Sequence, residues 1–386
     1  MLRRFLRTFG YISLLLIVIV IGAGIWYRDA ITRLMAVNTL FEEDRIVRNF
    51  SAMDQAFLTT PINAPEAAAL SKSETLLLPA GLEDWMASRR VTSLVVLQGG
   101  DVVFETYRLG TTPQDLRVGW SISKSYLSAL TGILVEQGDI GSLDDRVIDY
   151  VPALRNGAYH RATIRNVLNM ATGVTFDEDY DNPNSDINRM GRVLALGQKM
   201  DTFASELTET FQDPGTDWNY VSIDTHVLAM VLRGATGRGI ADLMEDKIFD
   251  PLGATRSPYY LTDGSGTAFA LGGINATTRD YARFGQMFLQ GGTWNSKQIV
   301  PADWVETSTT ASAPTAPDEM GYGYQWWIPW DARPREYMAR GIYGQYLYIN
   351  EEADTVIALT AVDPAYRQRA TVEENLAMFR EIADAI

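Results

Sequence analysis

The chain has 386 residues, 46% apolar and 21% charged, enough for one large domain or two smaller ones around a sizeable core. A net charge of −15 repels nucleic-acid phosphates and argues against a nucleic-acid partner. The lack of cysteine removes disulfides, thiolate metal sites and cysteine nucleophiles, and two histidines, His160 and His226, are too few for a multi-histidine metal centre.

Arg3, Arg4 and Arg7 precede an uncharged apolar run from Phe9 to Tyr27, about 19 residues, long enough to cross a bilayer. The basic cluster in front predicts a cytoplasmic N-terminus and an extracytoplasmic remainder, periplasmic in a bacterium. Small residues at Gly22-Ala23-Gly24 offer a cleavage site, but the run is longer than the apolar core of a signal peptide, which favours an uncleaved anchor over residues 1–30. Residues 31–84 read as a mixed connecting segment packed on the domain that follows, 85–386.

"LEDWMASRR" (82–90) predicts a short helix, and the β-rich runs around Gly99-Gly100 predict a hairpin. From 121 to about 250 the pattern is mostly helical, broken by long loops such as 176–188. "QYLYIN" and "TVIALTAV" predict a second hairpin near the C-terminus. The last segment has a capping-box pattern at Thr371 and Glu374 and keeps Leu376, Phe379, Ala383 and Ile386 on one face. Strands at both ends with helices between predict an α/β layered fold. Its antiparallel sheet is built from both chain ends, flanked by helices, and interrupted by an inserted all-helical subdomain at about 121–250.

"GWSISKSYLSAL" (119–130) carries the chemistry. A helix from Ser121 is apolar nearly all round and stops at Gly138, so it is buried. Lys124 lies in its first turn, where the helix dipole disfavours a cation. Of five lysines, only Lys124 follows a serine by three, a spacing that puts both on one helix face. Burial lowers a lysine pKa, and a neutral lysine beside a hydroxyl is a base beside a nucleophile. The bland alternative is an N-cap serine with a snorkelling lysine. Further along, Tyr220-Val221-Ser222 opens another apolar helix. A cation nearby would lower the Tyr220 pKa and fit it for proton exchange. At "ARGIYGQYLYI" a glycine-bracketed strand end offers a backbone N–H to an oxyanion, alongside that of Ser121.

These three stretches in this order resemble the penicillin-recognising serine hydrolases with an S-x-x-K motif, most closely the β-lactamase-related group of 6-aminohexanoate-dimer hydrolase and related carboxylesterases. "GDIGSLDDRVIDYVP", "TIRNVLNMATGVTFDEDY", "FDPLGA", "LGGINATTRDYARFGQMFLQGG" and "MGYGYQWW" add to the likeness. The resemblance implies a β-lactamase/transpeptidase-like fold over about 85–386. It also implies an acylated nucleophile at Ser121, its activator at Lys124 and a general acid/base at Tyr220. Ser222 stands at the third place of the Tyr-x-Asn motif. Gly341-Ile342-Tyr343 stand where β-lactamases carry Lys-Thr-Gly, which implies that Ile342 N–H is the second oxyanion donor. The missing cation and the serine in place of asparagine point to a small-molecule amide or ester as substrate rather than a β-lactam, with neither metal nor organic cofactor.

Three rivals stand beside this reading: a β-lactamase or D-amino-peptidase, a silent membrane-anchored binding module, and an α/β-hydrolase built on "GWSIS". The last needs a histidine partner, and only His160 and His226 are present. The acidic stretch 177–186 fails the EF-hand pattern at Asn182 and Asn188 and reads as a cleft rim, where Asp177–Tyr180 meet a substrate amine. "GYGYQWWIPW" reads equally as an acyl-binding wall or as core aromatics. The sequence carries no signal of oligomeric state.

Overall fold

The computed structural model of the chain describes residues 2–73 and 78–385. It opens on α1 (Leu2–Trp26), followed after one residue by α2 (Arg28–Thr39) and the short strand β1 (Thr59–Pro61). Next come α3 (Leu82–Ser88), the hairpin β2 (Val91–Gln98) and β3 (Asp101–Tyr107), and β4 (Arg117–Val118). The helical region holds α4 (Ile122–Glu136), α5 (Asp186–Ala195), α6 (Met200–Ser205) and α7 (Ser222–Thr236). The chain then returns through β5 (Tyr259–Leu261), β6 (Ile274–Ala276) and α8 (Thr278–Leu289). It ends with β7 (Gly321–Tyr322), β8 (Trp327–Ile328), β9 (Glu336–Gly341), β10 (Gln345–Asn350), β11 (Thr355–Ala361) and α9 (Arg369–Asp384).

The main sheet has seven antiparallel strands in the order β3-β2-β11-β10-β9-β8-β7, so both chain ends build it, as expected. Its strands alternate with period two. Val95, Leu97, Leu347 and Val356 face the side covered by α4 and α8, whereas Leu94, Val96, Tyr348 and Ile357 pack with Leu376, Phe379 and Ile382 of α9. With both faces covered, β2 is buried along nearly its whole length, and its centre, Leu94–Leu97, is a continuous apolar run. α8 presses closely on the sheet because residue 285 is glycine. A Cβ there would stand 2.7 Å from both Leu347 Cδ1 and Val356 Cγ1.

A second sheet, β1-β5-β6-β4, was not foreseen. It ties the stretch from Phe50 to Pro61 into the body, since β1 pairs with β5 and Phe50 O accepts from Val118 N–H at 3.0 Å. The terminal helix also differs from expectation. It starts at Arg369 with Gln368 as N-cap, so Thr371 is not a cap. The buried Thr371 hydroxyl instead accepts from the Arg89 guanidinium at 3.1 Å. Leu376, Phe379 and Ala383 share the buried face, and Ile386 lies outside the described residues.

Candidate active site

The sheet, α4 and α7 meet at Ser121. Ser121 is the N-cap of α4, and Trp120 before it is held at φ +46°. A non-glycine residue in that region is strained and persists only where its surroundings over-determine it. Here the Phe41 and Phe50 rings lie 5.8 and 5.5 Å from the Trp120 ring. Lys124, one turn into α4, is 1% exposed. Its Nζ lies 2.9 Å from Ser121 Oγ, donates to the Leu271 carbonyl at 2.9 Å, and lies 3.3 Å from Ser222 Oγ. A neutral amine has two hydrogens and one lone pair. In the neutral form, donation to Leu271 and Ser222 would leave the lone pair facing the Ser121 hydroxyl, whereas the charged amine donates to all three.

Burial lowers the Lys124 pKa to about 7, against the opposing pull of Glu178 and Asp224. Neither acid had been singled out as a partner of the lysine. The loop at 177–186 turns Glu178 toward Ser222. Glu178 accepts from both the hydroxyl and the N–H of Ser222, the latter at 3.1 Å. Burial raises its pKa, while Lys124 and Ser222 hold it down. Asp224, one turn into α7, accepts from Tyr159 at 2.7 Å and from Thr172, and burial raises it to about 7. The same loop is otherwise closed on itself, with the Asn188 amide donating to the carbonyls of Tyr180 and Asn182.

The Tyr220 ring lies 5.2 Å from Lys124 Nζ and stacks on Trp327. The expected lowering of its pKa does not occur. Burial raises it, outweighing the Ser121 hydroxyl and the charge of Arg340, so the phenol stays protonated. Arg340 itself is spent on aromatic faces, 4.9 Å from the Trp327 ring centroid and 5.7 Å from that of Tyr346. Of the stretch "GYGYQWWIPW", Tyr322 and Trp327 ring Tyr220, and Trp326 is core.

β9 ends at Gly341, and the turn Ile342-Tyr343-Gly344 leads into β10. Residue 341 must lack a side chain: a Cβ would meet Gly119 O at 2.5 Å and Trp120 Cβ at 3.1 Å. The strand end therefore lies directly against the turn that carries Ser121. The buried Gln345 amide fixes the turn by donating to the Ile342, Tyr343 and Ala361 carbonyls. Tyr343 is held at φ +59°, its ring stacked on Phe41 at 4.9 Å. Ser121, Ser222 and Ile342 open on one partly enclosed apolar cavity of about 100 Å³.

The two residues outside this group are accounted for otherwise. His226 is buried in α7, with its Nε2 2.9 Å from an Asp201 carboxylate shared with Arg233. His160 Nδ1 lies 3.1 Å from the Gly157 carbonyl oxygen. Both histidine rings are thus bonded away from Ser121, so the α/β-hydrolase rival loses its base.

A sheet from both chain ends, helices inserted between its halves, and a serine–lysine pair opening the helix behind it define a β-lactamase-related hydrolase. The family model described as Beta-lactamase matches residues 82–377, and the chain belongs to that family. It is 31% identical over 291 residues to 6-aminohexanoate-dimer hydrolase of Paenarthrobacter ureafaciens, covering 72% of this chain and 74% of that one. A solved Bacillus anthracis structure named for the same hydrolase is 24% identical, covers 89% of this chain and 95% of its own, and superposes with a TM-score of 0.80. A family VIII carboxylesterase shares the fold at 14% identity and a TM-score of 0.60, over 82% of this chain and 99% of its own.

Proposed function

We propose that the protein hydrolyses amide or ester bonds through an acyl-enzyme on Ser121, with Lys124 as base and Tyr220 as proton relay. The observation that carries this is the buried Lys124 amine, 2.9 Å from the Ser121 hydroxyl and with its pKa lowered to about 7. Ser121 Oγ attacks the carbonyl carbon while its proton passes to Lys124 Nζ. The N–H groups of Ser121 and Ile342 receive the oxyanion. When the intermediate collapses, the C–O or C–N bond breaks and the leaving group takes a proton from Lys124 through the Tyr220 phenol. Water then adds to the acyl carbon, gives its proton to Lys124, and releases the acid as Ser121 Oγ regains a proton. A raised Tyr220 pKa suits a relay that stays neutral, rather than a phenolate base.

Esters and open-chain amides are favoured over β-lactams. A β-lactam carboxylate needs a cation, residues 341–343 offer none, and Arg340 is held between Trp327 and Tyr346. Losing one charge-assisted contact is worth about 1.5–3 kcal/mol, or roughly ten- to a hundredfold. On one preparation, kcat/KM for a short p-nitrophenyl ester is therefore expected to exceed that for nitrocefin by at least that factor. Faster nitrocefin turnover would return the β-lactamase reading.

The catalytic body is proposed to sit outside the cytoplasm on an uncleaved membrane anchor. Within α1, Leu6–Trp26 is long and apolar enough to span a bilayer, and its side chains stand free of the body. Full-length protein should fractionate with membranes, and a C-terminal reporter should be active only outside the cytoplasm. A mature N-terminus near Ile25 would show cleavage, and a cytoplasmic reporter signal would overturn the topology.

A further inference from the structure

The cavity beside Ser121 is walled on one side by the segment that follows α1. Val37, Leu40, Phe41, Met53 and Phe57 form one side, and Met190, Gly191 and Leu194 of α5 face them. Among the described residues, no charged side chain lines it. Tyr220 is absent from this wall, whereas Ser121 and Ile342 belong to it. If Tyr220 protonates the leaving group, the leaving group sits on the Tyr220 side and the acyl group extends the opposite way, into the cavity.

The segment is fixed in place. Arg33 Nε donates to the Ala195 carbonyl at 2.7 Å, which clamps α2 to the end of α5. Helical hydrogen bonds run nearly unbroken from α1 into α2, Tyr27 N–H to Ala23 O and Ile31 N–H to Tyr27 O. Val37 is eleven residues past Trp26, about 16 Å along a helix axis. The cavity wall thus begins within a few helical turns of the apolar span.

Resting on the hydrolase reading above, we propose that this cavity is an acyl-chain subsite. The substrate class is then uncharged medium- to long-chain acyl esters or amides, amphiphiles that collect at a membrane surface. A 6-aminohexanoyl group would bring an ammonium into a wall without a carboxylate. The subsite therefore separates this chain from a preference for that acyl group.

The test uses the full-length protein in one detergent and p-nitrophenyl esters of acetate, hexanoate, octanoate and 6-aminohexanoate. Each buried methylene is worth up to about fourfold in kcat/KM, so octanoate is expected to exceed acetate by about tenfold or more. Hexanoate should likewise exceed 6-aminohexanoate. Gly191→Leu fills the cavity. Gly191 shares a helix face with Ile187 and Leu194, a Cβ there meets nothing within 4 Å, and leucine strengthens the helix. The octanoate-to-acetate ratio should fall by about tenfold in this variant, the worth of roughly two displaced methylenes. Val37→Phe repeats the test from α2, and ratios between variants cancel partitioning into detergent. A wild-type preference for acetate or for 6-aminohexanoate, or ratios unmoved by both variants, would overturn the subsite while leaving the hydrolase intact. No turnover of any ester would overturn the hydrolase reading itself.

Discussion

Ser121→Ala is expected to lower kcat/KM for a p-nitrophenyl ester by about 10⁴-fold or more, and to abolish covalent trapping by a fluorophosphonate. Without the hydroxyl no acyl-enzyme forms, and the oxyanion donors alone act on water. The wild-type protein should gain one adduct mass, located on Ser121. Ser123 is the control, though not an inert one. Its buried hydroxyl accepts from Ile274 N–H at 3.1 Å. Ser123→Ala leaves that donor unpaired and should lower stability by about 1–3 kcal/mol while keeping the adduct on Ser121. An adduct on another serine, or undiminished turnover by Ser121→Ala, would sink the mechanism.

Lys124→Met should lower kcat/KM by about 10²- to 10⁴-fold, the range for a lost general base, and should cost about 1–3 kcal/mol of stability because the buried Leu271 carbonyl loses its donor. In the unsubstituted protein, kcat/KM should rise with pH through about 7, where the amine loses its proton. Glu178 favours the charged lysine, so Glu178→Gln removes that pull and lowers the Lys124 pKa further. The acid limb should then move to lower pH. A limb unmoved by Glu178→Gln would mean that another group titrates there. Full activity in Lys124→Met would remove the base from the mechanism.

The network around Lys124 explains why the lysine is tolerated behind an apolar helix. It is satisfied by one carbonyl and two hydroxyls, and Ser222 passes its own hydrogen to Glu178. A buried polar network is stable only when each member is paired. The serine that replaces asparagine in the Tyr-x-Asn motif is thus the joint between Glu178 and Lys124.

Much of this was legible in the chain because it depends on near neighbours in sequence. Ser121 and Lys124 are three apart on one helix, so helical geometry alone brings their side chains together. β-rich runs bounded by turn residues predicted both hairpins, and an uncharged run of bilayer length predicted α1. What the tertiary structure decided involves residues far apart. Glu178 is 54 residues from Lys124, and no local pattern tells an inward carboxylate from others in an acidic loop. The Tyr220 pKa depends on how far Trp327 and Tyr322 bury the ring, and desolvation there outweighs the neighbouring charge. The second sheet arises from pairing between residues 59–61 and 259–261, about 200 positions apart. That same closure sets the segment after α1 against Ser121, since apolar side chains at 37–57 were free to pack on any face until β1 fixed which one.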